Sequence, residues 1–144
     1  MPFDSAKRVM SGTFGEAWLD NEYVAEIYKA QAKTSFNKEK IAQCGKMTSD
    51  HKVTSVENRG SLGMHKINSR MARAIGEQIR NGKDVRFTVI LKLDDPDAYG
   101  AERVQLTGVS FDDLTLADWE AGVPGKIEAP FTYADFRFLD LVEG

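Results

Sequence analysis

Few residues of this chain could do chemistry, and their spacing is poor for it. His51 and His65 lie fourteen residues apart, with the single cysteine, Cys44, upstream. Two imidazoles and a thiolate could hold zinc, but this spacing matches no zinc pattern, and both histidines read as exposed loop residues. Gly45-Lys46-Met47 has the Gly-Lys of a phosphate-binding loop. The loop's upstream glycine would fall at Lys40, however, and Met47 stands where a hydroxyl should hold magnesium. Asp94-Asp95-Pro96-Asp97 has enough carboxylates for calcium but lacks the glycine and closing glutamate of a calcium loop, so it reads as a capped turn. Asp112 and Asp113 could share a proton only if their side chains met, and neighbours on a strand point to opposite faces. No Ser-His-Asp or Cys-His arrangement can be argued from the spacings. The expectation is a protein that is not an enzyme, with no metal and no cofactor. Trp18 and Trp119 read as core or interface residues.

The composition is that of an ordinary soluble domain. A chain of 144 residues fits one domain, 1–144, that can bury a real core. No apolar run approaches the roughly 20 residues of a membrane helix, so no membrane insertion is expected of the monomer. The first ten residues, "MPFDSAKRVM", lack the apolar centre of a secretory signal, which makes the cytoplasm the default address. One free thiol suits a reducing compartment. The net charge of −3 gives no general reason for stable nucleic-acid binding. Its distribution is more informative. Residues 31–72 carry eight Lys or Arg against three acids, and residues 94–144 carry three against twelve. Two solvated faces of one globule would explain this. A contact between unlike patches of successive copies would also explain it, and such head-to-tail contacts build rings or filaments.

The elements that must position these residues are mostly strands. "TFGEAWLDNEYVAEIY" reads as a hairpin turning at Asp20-Asn21, residue types that tolerate left-handed backbone. Met71, Ile75 and Ile79 repeat at helical spacing after Ser69, a candidate N-cap, and Asn81-Gly82 is a stop signal. "DVRFTVILKL" alternates cleanly, with Val85, Phe87, Val89, Leu91 and Leu93 on one face. In "ERVQLTGVSF" the apolar parity flips at Gly108, which predicts a bulge. "KIEAPFTYADFRFLDL" flips in the same way, and Pro130 confines it to an edge or an irregular position. The expected fold is mainly β, seven or so bent strands in a sandwich or open barrel, with one α-helix.

One stretch fits neither pattern. "KTSFNKEKIAQ", residues 33–43, offers Phe36 and Ile41 and little else that is apolar, on either parity. Its surroundings must be watery on nearly all sides. From 44 to 61, "CGKMTSDHKVTSVENRGS" reads as a long polar connection whose second half joins a strand. Connections of that length are usually functional or disordered.

"SGTFGEAWLDNEYVAEI", "GKDVRFTVILKLDDPDAYGAERVQLTGVSFD" and "EAPFTYADFRFLD" closely resemble, in the same order, the tail tube proteins of PBSX-type prophages and related contractile particles. The resemblance spans about Ser11 to Asp140 and implies two packed antiparallel sheets with a flanking helix. It further implies hexameric rings stacked into a hollow tube inside a sheath, with one sheet lining the channel. Residues 23–42, 51–66, 103–117 and 126–139 are then assigned to the lining sheet. Ala30, Ala32 and Phe36 form its better buried parity, and Gln31, Lys33, Ser35, Asn37 and Glu39 are lumen candidates. Lys46, Met47, Thr48, Ser49, Asp50 and His51 become a loop reaching the next ring. The implied partners are copies of the chain itself, then sheath and baseplate or terminator proteins. DNA passes through in an infectious phage, and only ions do in a bacteriocin-like particle. The implied location is the bacterial host cytoplasm during assembly, then the virion or tail-like particle. Two rivals remain at this point, a hexameric secretion-system tube protein and a small β-barrel that binds a ligand inside.

Overall fold

The computed structural model describes residues 5–67, 69, 71–114 and 116–142. Two 3-10 turns, Ala6–Arg8 and Gly12–Phe14, lead into eight strands. These are β1 (Gly15–Leu19), β2 (Glu22–Tyr23), β3 (Ile27–Ile41), β4 (Asp50–His65), β5 (Phe87–Leu93), β6 (Glu102–Phe111), β7 (Lys126–Thr132) and β8 (Asp135–Asp140). All pairings are antiparallel, in the order β2-β1-β5-β6-β7-β4-β3, with β8 also paired to β6.

Of the two packed sheets expected, the strands form one continuous antiparallel sheet among the described residues, and β6 is the reason. Residues Glu102 to Leu106 pair with β5, and Arg103 to Thr107 pair with β8. At its far end, Ser110 and Phe111 pair with Thr132 and Phe131 of β7. The switch happens at the expected bulge. Gly108 has φ +64, and two residues of β6, Thr107 and Gly108, oppose the single Thr88 of β5 between the pairs Val89↔Leu106 and Phe87↔Val109. A Cβ at Gly108 would sit 2.8 Å from the Ala134 Cβ, so a side chain there is excluded by space as well as by backbone. The extra residue re-aims the strand, and both Leu106 and Val109 are buried despite their odd spacing.

This also corrects the strand membership expected for the lining sheet. Most of 103–117 belongs with β5 and β8. The stretch 126–139 splits at Tyr133-Ala134, where the Ala134 N–H donates to the Thr107 carbonyl at 2.9 Å and leads β8 away to β6. Pro130 sits inside the strand order, between β4 and β6. It is tolerated because β6 departs there: the Pro130 carbonyl accepts from Asp112 N–H just past the end of β6, and no ladder donor is needed.

The sheet bends so that its two halves share one core. Leu62, Met64, Ala129 and Phe131 come from β4 and β7; Leu19, Phe87, Val89, Leu106 and Val109 come from β1, β5 and β6. Phe87, Phe111 and Phe131 form a run of ring contacts at 5.5 and 5.9 Å through the fold. A helical segment closes one side. It is a π-turn, Ala72–Gly76, running into a short α1 (Glu77–Arg80), where a plain α-helix of three turns was expected. Met71 and Ile75 are buried, while Ile79 is exposed beside a groove shared with Ile75, Val85 and Leu114. The stop is as expected. Lys83 N–H donates to Gln78 O and Gly82 N–H to Ile79 O, both at 2.9 Å, with Gly82 left-handed.

Two turns follow from their residue types. Asp20 and Asn21 have φ of 50° and 68°, the conformation of a two-residue hairpin turn. Asp95 is buried, and its two carboxylate oxygens accept from Asp97 N–H and Ser11 N–H, each at 2.9 Å. "DDPD" is thus a capped turn, as its sequence suggested.

Candidate functional site

The surface that stands out is built from β3 and β4, two strands far longer than the rest. They pair from Ile27↔Met64 to Ile41↔Asp50. The β7 strand covers β4 only from Arg59 to His65. The remainder of the hairpin, residues 35–41 against 50–57, is a two-stranded arm about 23 Å long at ~3.3 Å per residue. The boundary is a polar lock. Thr34 and Asn58 face each other, and the Thr34 hydroxyl donates to Asn58 Oδ1 at 2.9 Å and meets the Tyr133 hydroxyl at 3.1 Å. The Asn58 amide reaches on to the Ala134 carbonyl at 3.3 Å, tying the hairpin to the turn between β7 and β8.

One face of the hairpin is polar from Lys29 to Glu39, with Ile41 the apolar residue at its far end. The five lumen candidates stand on it, and all five are exposed. Their cross-strand partners are Gln31↔Ser61, Lys33↔Arg59, Ser35↔Glu57, Asn37↔Ser55 and Glu39↔Lys52. On β7 the same face continues through Pro130 and Thr132. No large apolar side chain occurs among these positions, and both charge signs are interspersed. Contacts within the face are weak and exposed: Asn37 Nδ2 donates to Ser55 Oγ at 3.0 Å, Arg59 lies 3.8 Å from Glu57, and Lys29 lies 3.7 Å from Glu128. Tyr28, the bulged residue of β3, closes the face at its base by lying over Gly63, with the Lys126 ammonium 5.2 Å from its ring centre.

The other face changes character along its length. Near the base, Leu62 and Met64 are buried in the core. Beyond the Thr34–Asn58 lock, Phe36 and its partner Val56 are 61% and 51% exposed, and Val53 is 47% exposed. A bulge at Thr54 keeps Val53 on this face, since Lys38 pairs with Val53 while Asn37 pairs with Ser55. The parity of Ala30, Ala32 and Phe36 is the better buried one, as expected, since Ala32 and Thr34 are partly covered while Gln31, Lys33 and Ser35 are exposed, but its burial is slight. Of Ala30, Ala32 and Phe36 only Ala32 is partly covered, and Phe36 is exposed because none of the described residues lies over the arm. A second apolar edge lies on β8, where Phe136 and Phe138 are exposed with rings 5.5 Å apart. By register they share a face with buried Leu106 and half-buried Val104.

The connection at the tip of the arm is shorter than expected. Asp50 and His51 already belong to β4, so it spans only residues 42–49, in which all but Ser49 are exposed. Gly45 takes a left-handed φ of +80 at its turn, and Met47 is wholly exposed.

A family model described as phage tail tube protein matches residues 3–140. The chain belongs to the phage tail tube protein family. Phage-like element PBSX protein XkdM of Bacillus subtilis strain 168 is 31% identical over 133 residues, which is 91% of this chain and 90% of XkdM. The uncharacterized protein YqbM of the same strain matches to the same extent. A chain in the cryo-EM structure of the extended sheath-tube complex of an extracellular contractile injection system (PVC) superposes with a TM-score of 0.73. That match covers 98% of this chain and 100% of the other, at 8% identity. A Bacillus subtilis protein of 30% identity superposes with a TM-score of 0.54, over 94% and 98% of the two chains.

A tail tube protein is a structural protein and not an enzyme, and the residues singled out for chemistry sit accordingly. His51 and His65 occupy opposite ends of β4, in the strand and not in loops, and Cys44 is exposed in the tip. His65 stacks on Tyr28 with ring centres 4.8 Å apart. Among the described residues no three His, Cys, Asp or Glu side chains are grouped for a metal. Asp112 and Asp113 lie just past β6 and are exposed. Trp18 is half-buried against Tyr23, and Trp119 is 85% exposed, which removes it from the core. The sheet interior of this tail tube protein is filled by Phe131, Leu106, Val24, Val89 and Val109. A concavity of about 600 Å³ is an open cleft with Asp20, Glu22, Arg73, Gln78, Asp84 and Arg86 among its lining residues. No helix among the described residues is long and apolar enough to cross a membrane.

Proposed function

We propose that this tail tube protein, acting as a single domain, closes into hexameric rings that stack into the inner tube of a contractile tail. The half of the sheet formed by β3, β4 and β7 is the channel wall, packed against the other half as an outer layer. Gln31, Lys33, Ser35, Asn37 and Glu39 face the lumen. The observation that carries this reading is the arm. Its apolar face has no cover from the described residues of its own chain, while its opposite face is polar as far as Glu39, with Ile41 alone beyond it at the tip. A wall between water and a neighbouring subunit needs that asymmetry. Covering Phe36, Val53 and Val56 contributes about 1.5–3 kcal/mol for each side chain fully buried. Ring closure also removes the exposed strand edges of β3 and β2, which otherwise invite uncontrolled pairing.

The tube then works as a rigid conduit driven through a cell envelope by a contracting sheath. A lumen of mixed, exposed charge holds phosphates weakly, which suits DNA in transit, and it serves an ion-leaking particle equally well. Sheath, terminator and baseplate are the partners, by analogy with the solved PVC sheath-tube complex, the PVC sheath/tube terminator and the anti-feeding prophage baseplate. Subunits assemble in the bacterial cytoplasm and end in the virion or tail-like particle. The basic stretch 31–72 meets the acidic stretch 94–144 between subunits, and residues 46–51 reach the adjacent ring. The test is sedimentation and negative-stain microscopy of purified chain at tens of micromolar. Sixfold rings or tubes are expected, and a monomer throughout would overturn the proposal.

A further inference from the structure

The strand layer has two ends, and they are chemically complementary. At one end is the tip of the arm. Residues 38–47 carry three lysines against one glutamate, with Met47 wholly exposed at the turn. At the other end is the connection between β6 and β7. It is fixed to the base of the hairpin by Lys66 N–H donating to the Gly125 carbonyl at 2.8 Å and by the pair His65↔Lys126. Residues 112–125 carry four acids and no Lys or Arg. They also hold apolar side chains in the open, among them Leu116 at 86% and Trp119 at 85% exposure. Nothing in the same chain can bring these ends together, because the sixteen residues of β4 hold them about 50 Å apart at ~3.3 Å per residue.

We infer that the tip of one copy docks on the Leu116–Glu120 segment of the next copy, with Met47 against Leu116 and Trp119, and Lys46 against Asp118. This rests on the tube reading above and names the acceptor that the reaching loop requires. Charge complementarity and the matched apolar groups select a second copy as the occupant. The contact joins opposite ends of identical molecules, so it is heterologous, and repeating it without rotation to closure builds an open filament. An exposed tryptophan beside acids is a costly surface feature in a lone globule. In the stacked contact it becomes the kind of aromatic anchor that dominates interface energies.

The experiment uses full-length chain and separates ring from tube. Trp119→Ala and Lys46→Glu are read by native mass for rings, by microscopy for tubes and by thermal melting for the fold. Both variants are expected to melt like the parent and form rings, with the concentration needed for tubes raised at least about tenfold. Asp118→Lys alone should behave likewise, and combined with Lys46→Glu it should restore tubes. Tubes at the parental concentration in Trp119→Ala, or a charge-swapped double variant no better than its singles, overturns the contact while leaving the tube reading intact. A parent chain that forms neither rings nor tubes overturns both.

Discussion

The base and the arm of the β3–β4 hairpin are one continuous strand pair with opposite fates. At the base, Leu62 is 2% exposed under Phe131 and the rest of the core. In the arm, six residues further from the base along β4, Val56 points to the same side and is half open. Local geometry and alternation are alike in the two regions. What differs is the layer above: β5, β6 and the helical segment cover the base, and none of the described residues covers the arm. Burial on a strand is therefore decided by its neighbours. An apolar strand face left bare by its own fold indicates where another molecule belongs.

Breaking the base should cost folding, and breaking the arm should cost assembly. The largest effect belongs to Phe131→Ala, which removes a ring buried at the junction of β6, β7 and β4 and should lower monomer stability by about 3–5 kcal/mol. Urea denaturation reads it as a lower midpoint at unchanged slope. The arm should respond in the opposite sense. Phe36→Ser with Val56→Ser should cost monomer stability no more than about 1 kcal/mol, because both side chains are at least half open to water, yet abolish rings in sedimentation. A matching loss of stability in both variants would erase the distinction.

Smaller effects sharpen it. Replacing Lys46–His51 by a short Gly-Ser linker should keep folding and rings and lose tubes in micrographs, since changing the loop length costs under about 1 kcal/mol. Asp50 and His51 pair in β4, so loss of folding would show that the loop anchors the strand. The mildest expected effect is salt. Raising ionic strength from 0.1 M to 1 M shortens the Debye length from about 10 Å to about 3 Å, which should loosen tubes without dissolving apolar ring contacts. Turbidity indifferent to salt would remove the basic and acidic stretches from the account.

Much of this was legible in the residues. The Asp20-Asn21 turn, the bulge at Gly108, the stop at Gly82 and the capped "DDPD" turn each announce a backbone conformation through a residue type suited to it. The polar character of 33–43 pointed to a strand with water on most of itself, and its residues are mostly exposed. Two things were not legible. Alternation shows which side chains share a face but not whether a layer lies over them, so the exposure of Phe36 on the better buried parity was not evident. The routing of β6 and β8 was also hidden, because hydrogen-bond partners leave no trace in side-chain type, and one strand serving two neighbours looks in sequence like one strand in either sheet. Trp119 carried a signal that was passed over: a tryptophan flanked by Asp118 and Glu120, between Leu116 and the Gly122 turn, has the surroundings of a surface loop.

The central claim is that the two faces of the arm look onto different things, a channel and a neighbour. A cryo-EM map of assembled wild-type chain at side-chain resolution tests it directly. The account predicts sixfold rings in which Lys33, Ser35 and Asn37 border the open channel, while Phe36 and Val56 lie against an adjacent subunit. A ring with Phe36 facing the lumen, or an assembly in which the arm hangs free in solvent, would contradict it.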